Sequence, residues 1–189
     1  MASHPVQQLS VEQYLELERA ATERHEYIDG EMVAMSGGSP RHSLIGLNIA
    51  FQIKAKKRGS GCATFNPDVK VFLDRRKIAY PDVTVVCGDP EFLDARNDVV
   101  KNPSVVVEVL SPSTEDYDRG KKATLYRLLP SLQEFLLVGQ DPVFVEHNRR
   151  LPDGTWQIIL HQEMESTVDL QSIGVELSIA SIYEDLGKY

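Results

Sequence analysis

The chain has 189 residues, 42% of them hydrophobic, and a formal net charge of -8. That length and apolar content suffice for one domain with a buried core, expected to span residues 1–189. The acidic balance excludes a protein that grips nucleic acid mainly through a broad basic surface, because phosphate neutralisation needs clustered Lys and Arg.

Ser10 and Gln13 have the spacing of a capping box, and VEQYLELERAA places Val11, Tyr14, Leu15 and Leu17 at helical intervals, which predicts a first helix to about Arg24. In HEYIDGEMVAMSG, Asp29 and Gly30 separate two short apolar-containing runs and predict a hairpin. Ser39 and Pro40 then open a second helix carrying Leu44, Ile45, Leu47, Ile49, Phe51 and Ile53, with Gly59 as its stop. From Cys62 onward, CATF, VKVFL, VTVVC, SVVVEVL, EFLLV, VFVEHN and WQIIL read as strands. They are interrupted by the helical TEDYDRGKKATLYRLL, which Pro130 ends. With no repeated strand–helix unit, the order favours an α+β fold: a central mixed β-sheet flanked by helices, with an N-terminal helix and additional C-terminal strands.

No run approaches the about 18 apolar residues of a membrane span. MASHPVQQLS at the N-terminus lacks a cationic segment followed by an apolar one, so a soluble, cytoplasmic protein without a membrane partner is expected. Cys62 and Cys87 lie far apart, without zinc-site or redox-motif spacing, and read as small buried hydrophobes in a reducing cytosol. The basic patches KAKKR, DRRK and RGKK are solvated helix ends or loops, or local phosphate contacts.

Two acids occupy unusual settings. Asp82 directly precedes a Val-rich strand, and Glu108 lies inside VVVEVL, sharing a face with Val106 and Leu110 while Val105, Val107 and Val109 take the other. A strand apolar on both faces is expected to be central, and a carboxylate buried there without a partner costs several kcal/mol. A salt bridge or an exposed strand end resolves that cost structurally; a bound cation resolves it functionally. After Glu108, Pro112 breaks the strand and Ser113 or Thr114 caps a helix that sets Asp118, Lys122 and Tyr126 at i, i+4 and i+8. Two acids and an amine brought together suit metal-assisted phosphodiester hydrolysis, in which carboxylates hold Mg²⁺. His25 and His42 are further candidates, although a lone His is more often a surface group.

HEYIDGE, RHSLIGLNIAFQI, YPDVTVV, VVVEVLSPST and DRGKKATLY together resemble the Uma-type family of restriction-endonuclease-like proteins, over roughly residues 8 to 185. The resemblance implies the PD-(D/E)XK nuclease superfamily, a restriction-endonuclease-like core and DNA as the partner. By this resemblance Asp82 matches the PD aspartate and Glu108 the second acid, both as Mg²⁺ ligands, with Mn²⁺ able to substitute. The superfamily lysine is absent from the strand, where Leu110 stands. The family pattern D-x-x-x-K-x-x-x-Y instead selects Asp118, Lys122 and Tyr126. Lys121 is the competing amine; Lys122 is preferred because it shares a face with Tyr126 and Leu129. Glu26 matches the family's early acid, and His42 is a candidate phosphate contact.

The resemblance thus implies a Mg²⁺-dependent endonuclease, and a homodimer would suit cutting both strands. The alternatives are a catalytically inactive nucleic-acid-binding or assembly module that keeps the fold, and a metal-free glycosidase, which a single Trp makes a poor match.

Overall fold

The structure, a computed structural model, describes residues 8–35 and 37–188. Most of the MASHPVQQLS stretch, residues 1–7, lies outside the described residues. Ser10 caps α1 (Val11–Ala20): its Oγ accepts the Gln13 N–H at 3.2 Å while Gln13 Oε1 accepts the Ser10 N–H at 2.9 Å. The helix stops at Ala20 rather than near Arg24. The Glu18 carboxylate takes the His25 N–H at 2.9 Å and draws the chain into β1 (His25–Ile28). β1 pairs with β2 (Glu31–Ala34) through a turn in which Asp29 and Gly30 have φ of 54° and 92°, which is why this dipeptide favours the hairpin. Ser39 caps α2 (Pro40–Lys56), with Pro40 in its first turn.

The expected strands form as β3 (Cys62–Phe65), β4 (Lys70–Asp74), β6 (Val83–Cys87) and β8 (Val105–Val109), with the unforeseen short strands β5 (Lys77–Ala79) and β7 (Val99–Val100) between them. The helix after β8 is composite. α3 (Glu115–Tyr117) runs into a π-helical turn (Asp118–Lys122) and then α4 (Ala123–Leu128). β9 (Glu134–Val138), β10 (Val145–Arg150) and β11 (Trp156–His161) follow, then β12 (Thr167–Leu170), β13 (Val175–Ser178) and α5 (Ile179–Ile182).

Instead of one sheet, two larger sheets and a hairpin are built. The six-stranded sheet has the order β11-β10-β9-β8-β6-β3 and is mixed, because β8 and β9 are parallel while its other neighbours are antiparallel. The five-stranded sheet has the order β2-β1-β5-β4-β7, and β12 pairs with β13. β8 is central and wholly buried. Val105, Val107 and Val109 pack with Ile45, Ile49 and Ile53 of α2, while Val106 and Leu110 pack with Ala123, Tyr126 and Phe135. The period of two therefore turns Glu108 toward α4.

The reading of Cys62 and Cys87 as small buried hydrophobes is corrected, since both are only partly buried. They face each other across β3 and β6 and are joined by a disulfide. No described helix is long and apolar enough to cross a membrane.

Candidate active site

Strand register places the two acids. Val83 of β6 pairs with Val107 of β8, so the next residue outward on each strand is Asp82 on one and Glu108 on the other, at the same end of the sheet. Asp82 Oδ2 accepts the Val109 N–H at 2.7 Å, fastening the carboxylate to the neighbouring strand. Its side chain is 16% exposed, and His42 Nε2 from the first turn of α2 lies 3.4 Å from the same oxygen.

Glu108, 5% exposed, is held from the helical side. The Tyr126 hydroxyl of α4 donates to Glu108 Oε1. Lys122 Nζ lies 2.8 Å from that same oxygen, 2.9 Å from Glu26 Oε1 and 3.6 Å from Asp118 Oδ1. The π-helical turn stacks Asp118 under Lys122 and leaves both buried. Glu26 arrives on β1, where its Oε1 also accepts the Tyr80 N–H at 3.3 Å. Lys122 thus bridges an acid of the five-stranded sheet and an acid of the six-stranded sheet. Lys121 is exposed on the opposite side of the turn.

The electrostatics are those of too many acids for one ammonium. Burial pushes the Glu108 carboxyl up to about 8; Lys122 opposes the rise, whereas Asp118, Asp82 and Glu26 reinforce it. Burial likewise raises Asp82 and Asp118 above the ordinary carboxylate range. Burial works against the Lys122 ammonium, but Glu108, Tyr126, Glu26 and Asp118 outweigh it and hold its pKa well above the ordinary value.

Glu26, Asp82, Glu108, Asp118, Lys122 and His42 all line one cleft of about 930 Å³. Among the described residues, no three acids, histidines or cysteines are already drawn together as a ligand set. The donor set nevertheless fits a hard divalent ion. The protein donors converge on Asp82 Oδ2 and Glu108 Oε1, and no described residue donates to Asp82 Oδ1 or Glu108 Oε2. Two anchored carboxylates, each with a spare oxygen, match the few protein ligands that Mg²⁺ takes when it keeps several waters. The surplus of acids gives a cation a reason to enter.

Some neighbours were not anticipated. Glu18 of α1 is buried, and its Oε1 accepts the Tyr80 hydroxyl at 2.7 Å. Its spacing from Tyr14 and Leu15 on the apolar stripe was a signal in the sequence. His25 turns to this group, Nδ1 lying 3.0 Å from Glu18 Oε2, and does not line the cleft. Gln140 closes one rim by accepting from Ser39 Oγ at 2.7 Å and donating to Leu110 O at 2.7 Å. Tyr117 also lines the cleft, and nothing in its sequence context marked it.

The sequence model of the Uma2 family, described as "Putative restriction endonuclease", matches residues 11–180. Two proteins of Synechocystis sp. are similar. Uncharacterized protein slr1290 is 39% identical over 185 residues, covering 97% of this chain and 96% of that protein. Uncharacterized protein sll1609 is 34% identical over 149 residues, covering 78% and 84%. A crystal structure from Anabaena variabilis, described as "a putative nuclease belonging to DUF820", matches with a TM-score of 0.75 at 17% identity, covering 93% of this chain and 97% of that one. The shared architecture is the α+β, restriction-endonuclease-like fold.

Proposed function

Because the chain belongs to the Uma2 family of nuclease-like proteins, we propose that it is a Mg²⁺-dependent endonuclease that hydrolyses DNA phosphodiester bonds. The observation that carries this reading is the meeting of Asp82 and Glu108 at one sheet end, facing one cleft, with the Lys122 ammonium 2.8 Å from Glu108.

In this reading Asp82 and Glu108 hold the ion, and Mn²⁺ substitutes for Mg²⁺. When bound, the ion supplies Lewis acidity and a water of lowered pKa. The Val109 N–H and the Tyr126 hydroxyl fix the two carboxylates before substrate arrives. Lys122 presents its positive charge where negative charge grows on the phosphoryl oxygens, and Glu26 and Asp118 keep that ammonium charged and in place. His42, at the cleft rim, donates to a phosphate oxygen. A water oxygen forms the new P–O bond and gives up a proton as the P–O bond to the departing ester oxygen breaks, and that oxygen takes up a proton in turn.

Incubating the protein with supercoiled plasmid and Mg²⁺ or Mn²⁺ tests this. Nicking that Asp82→Ala, Glu108→Ala and Lys122→Ala abolish is the expected result; nicking equal to wild type in all three traces the activity to a contaminant and rejects the proposal.

A second reading, a catalytically inactive binding module, draws on the same lysine, because three acids already claim Lys122. It predicts metal-dependent DNA binding that weakens with salt, without nicking.

A further inference from the structure

The acids sit on the floor of the cleft rather than on its rim. Glu108 is 5% exposed, and Lys122 and Asp118 are each 4% exposed. Part of the rim is apolar and exposed: Val33 is 42% exposed and Met35 36%, and Pro112 is exposed as well. A volume of about 930 Å³ lies in the range of small-molecule pockets, ~300–1,000 Å³. An intact duplex carries its phosphates on a convex rod and does not deliver one to the floor of such a cleft without local melting.

The charge pattern points the same way. Among the described residues lining the cleft, Lys122 is the single lysine and no arginine appears. Neutralisation of many duplex phosphates is therefore not what this surface offers. It offers instead a half-buried tyrosine. Tyr117, the last residue of α3, lines the cleft, and Lys77 Nζ lies 5.8 Å from its ring centroid. The phenol is uncharged near neutral pH, as an ordinary tyrosine is, and burial raises it further, to about 12, so the ring does not repel a phosphodiester. An aromatic ring with apolar walls is a stacking platform for bases of any identity.

Building on the nuclease reading above, we infer that the cleft takes single-stranded DNA, with one unstacked base against Tyr117 and the Val33–Met35 wall and its phosphate over Asp82, Glu108 and Lys122. Sequence tolerance follows, since stacking reads no base edge.

The test is fluorescence anisotropy of the whole protein in Ca²⁺, which takes oxygen ligands, with a labelled single strand and the same sequence as a blunt duplex. The expected result is single-strand binding about tenfold tighter than duplex binding, reduced about tenfold by Tyr117→Ala and retained by Tyr117→Phe. Met35→Ser, on the exposed rim, is expected to weaken the single strand about fivefold and keeps the test informative if Tyr117→Ala does not fold. Equal or tighter duplex binding, no binding of either, or a single-strand affinity unmoved by both cleft variants overturns the inference. Metal-dependent cutting of the labelled single strand and of plasmid separates this failure from that of the nuclease reading: duplex preference with metal-dependent cutting sinks the single-strand inference alone, whereas no cutting of either substrate sinks the nuclease proposal.

Discussion

Lys122 Nζ lies 2.8 Å from Glu108 Oε1 although the two residues come from different layers, the acid from the central strand and the amine from the helix packed over it. Leu110, two residues after Glu108 and just past the end of the strand, is buried against Ala123 and Tyr126. The amine reaches the acid from above rather than along the strand.

Removing that amine has two separable effects. Lys122→Met is expected to lower Mg²⁺-dependent nicking by about 100-fold or more, by loss of charge at the phosphoryl group. It should also cost about 3 kcal/mol of stability, because Glu26 and Glu108 lose their shared cation. Lys121→Met, on the exposed side, is expected to stay within about 0.5 kcal/mol of wild type. Urea denaturation alongside the nicking assay checks both; a Lys121 variant that is inactive while the Lys122 variant cuts would reverse the assignment.

Tyr126 acts through Glu108, the acceptor of its hydroxyl. Tyr126→Phe keeps the ring in the core and removes one of the two groups that hold Glu108 Oε1. Calorimetric titration with Mn²⁺ should show about tenfold weaker binding, with a stability loss of about 1–2 kcal/mol. Unchanged Mn²⁺ affinity would mean that Lys122 alone holds the carboxylate.

Divalent ions should stabilise the protein through these same acids. At a Mg²⁺ concentration of about 100 times Kd the gain is about 2.7 kcal/mol, visible as a rise in Tm. Asp82→Asn and Glu108→Gln should each abolish the rise. A rise preserved in both variants would place the ion elsewhere.

Stability in acid has a different origin. Burial would raise the Glu134 carboxyl, but His147, whose Nε2 lies 2.9 Å from Oε1, and the hydroxyl and N–H of Ser172 together hold it below its ordinary value of 4.5. A carboxylate depressed in the folded state contributes stability in full above about 4.5, and that contribution is lost as pH falls through the folded value. Glu134→Gln should therefore be less stable than wild type near neutral pH, and the gap should narrow below that point. Urea midpoints between pH 7 and pH 3 measure it, and a gap that stays constant refutes the assignment.

Local signals in the chain translated well where the interaction itself is local. Ser10 with Gln13, Asp29 with Gly30, and Ser39 with Pro40 define a cap, a turn and a helix start through contacts within a few residues. The buried, two-faced character of β8 was equally legible, because alternation along Val105–Val109 needs no knowledge of the neighbours. Pairing across the chain was not legible. Cys62 meets Cys87 because β3 and β6 align in that register, and no spacing rule foretells it. The division into two sheets depends on β5 and β7, too short to show a period. At the site, the grouping of Asp118, Lys122 and Tyr126 follows from spacing. That Glu26 closes the group from another sheet, and that Tyr117 and Tyr80 border it, are tertiary facts.

The π-helical turn at Asp118–Lys122 makes this short segment intolerant of changes in length. Such a turn accommodates one residue more than an α-helix does. A further residue inserted here and taken up by ordinary α winding would rotate the preceding residues by about 100° relative to α4. Asp118 would swing away from the lysine while Tyr126 stayed beneath Glu108. A loop such as residues 152–154 does not line the cleft and should accept a change of length, whereas the count between Asp118 and Tyr126 should be held fixed wherever the lysine is carried by this helix. Chain length here works as a structural parameter in its own right.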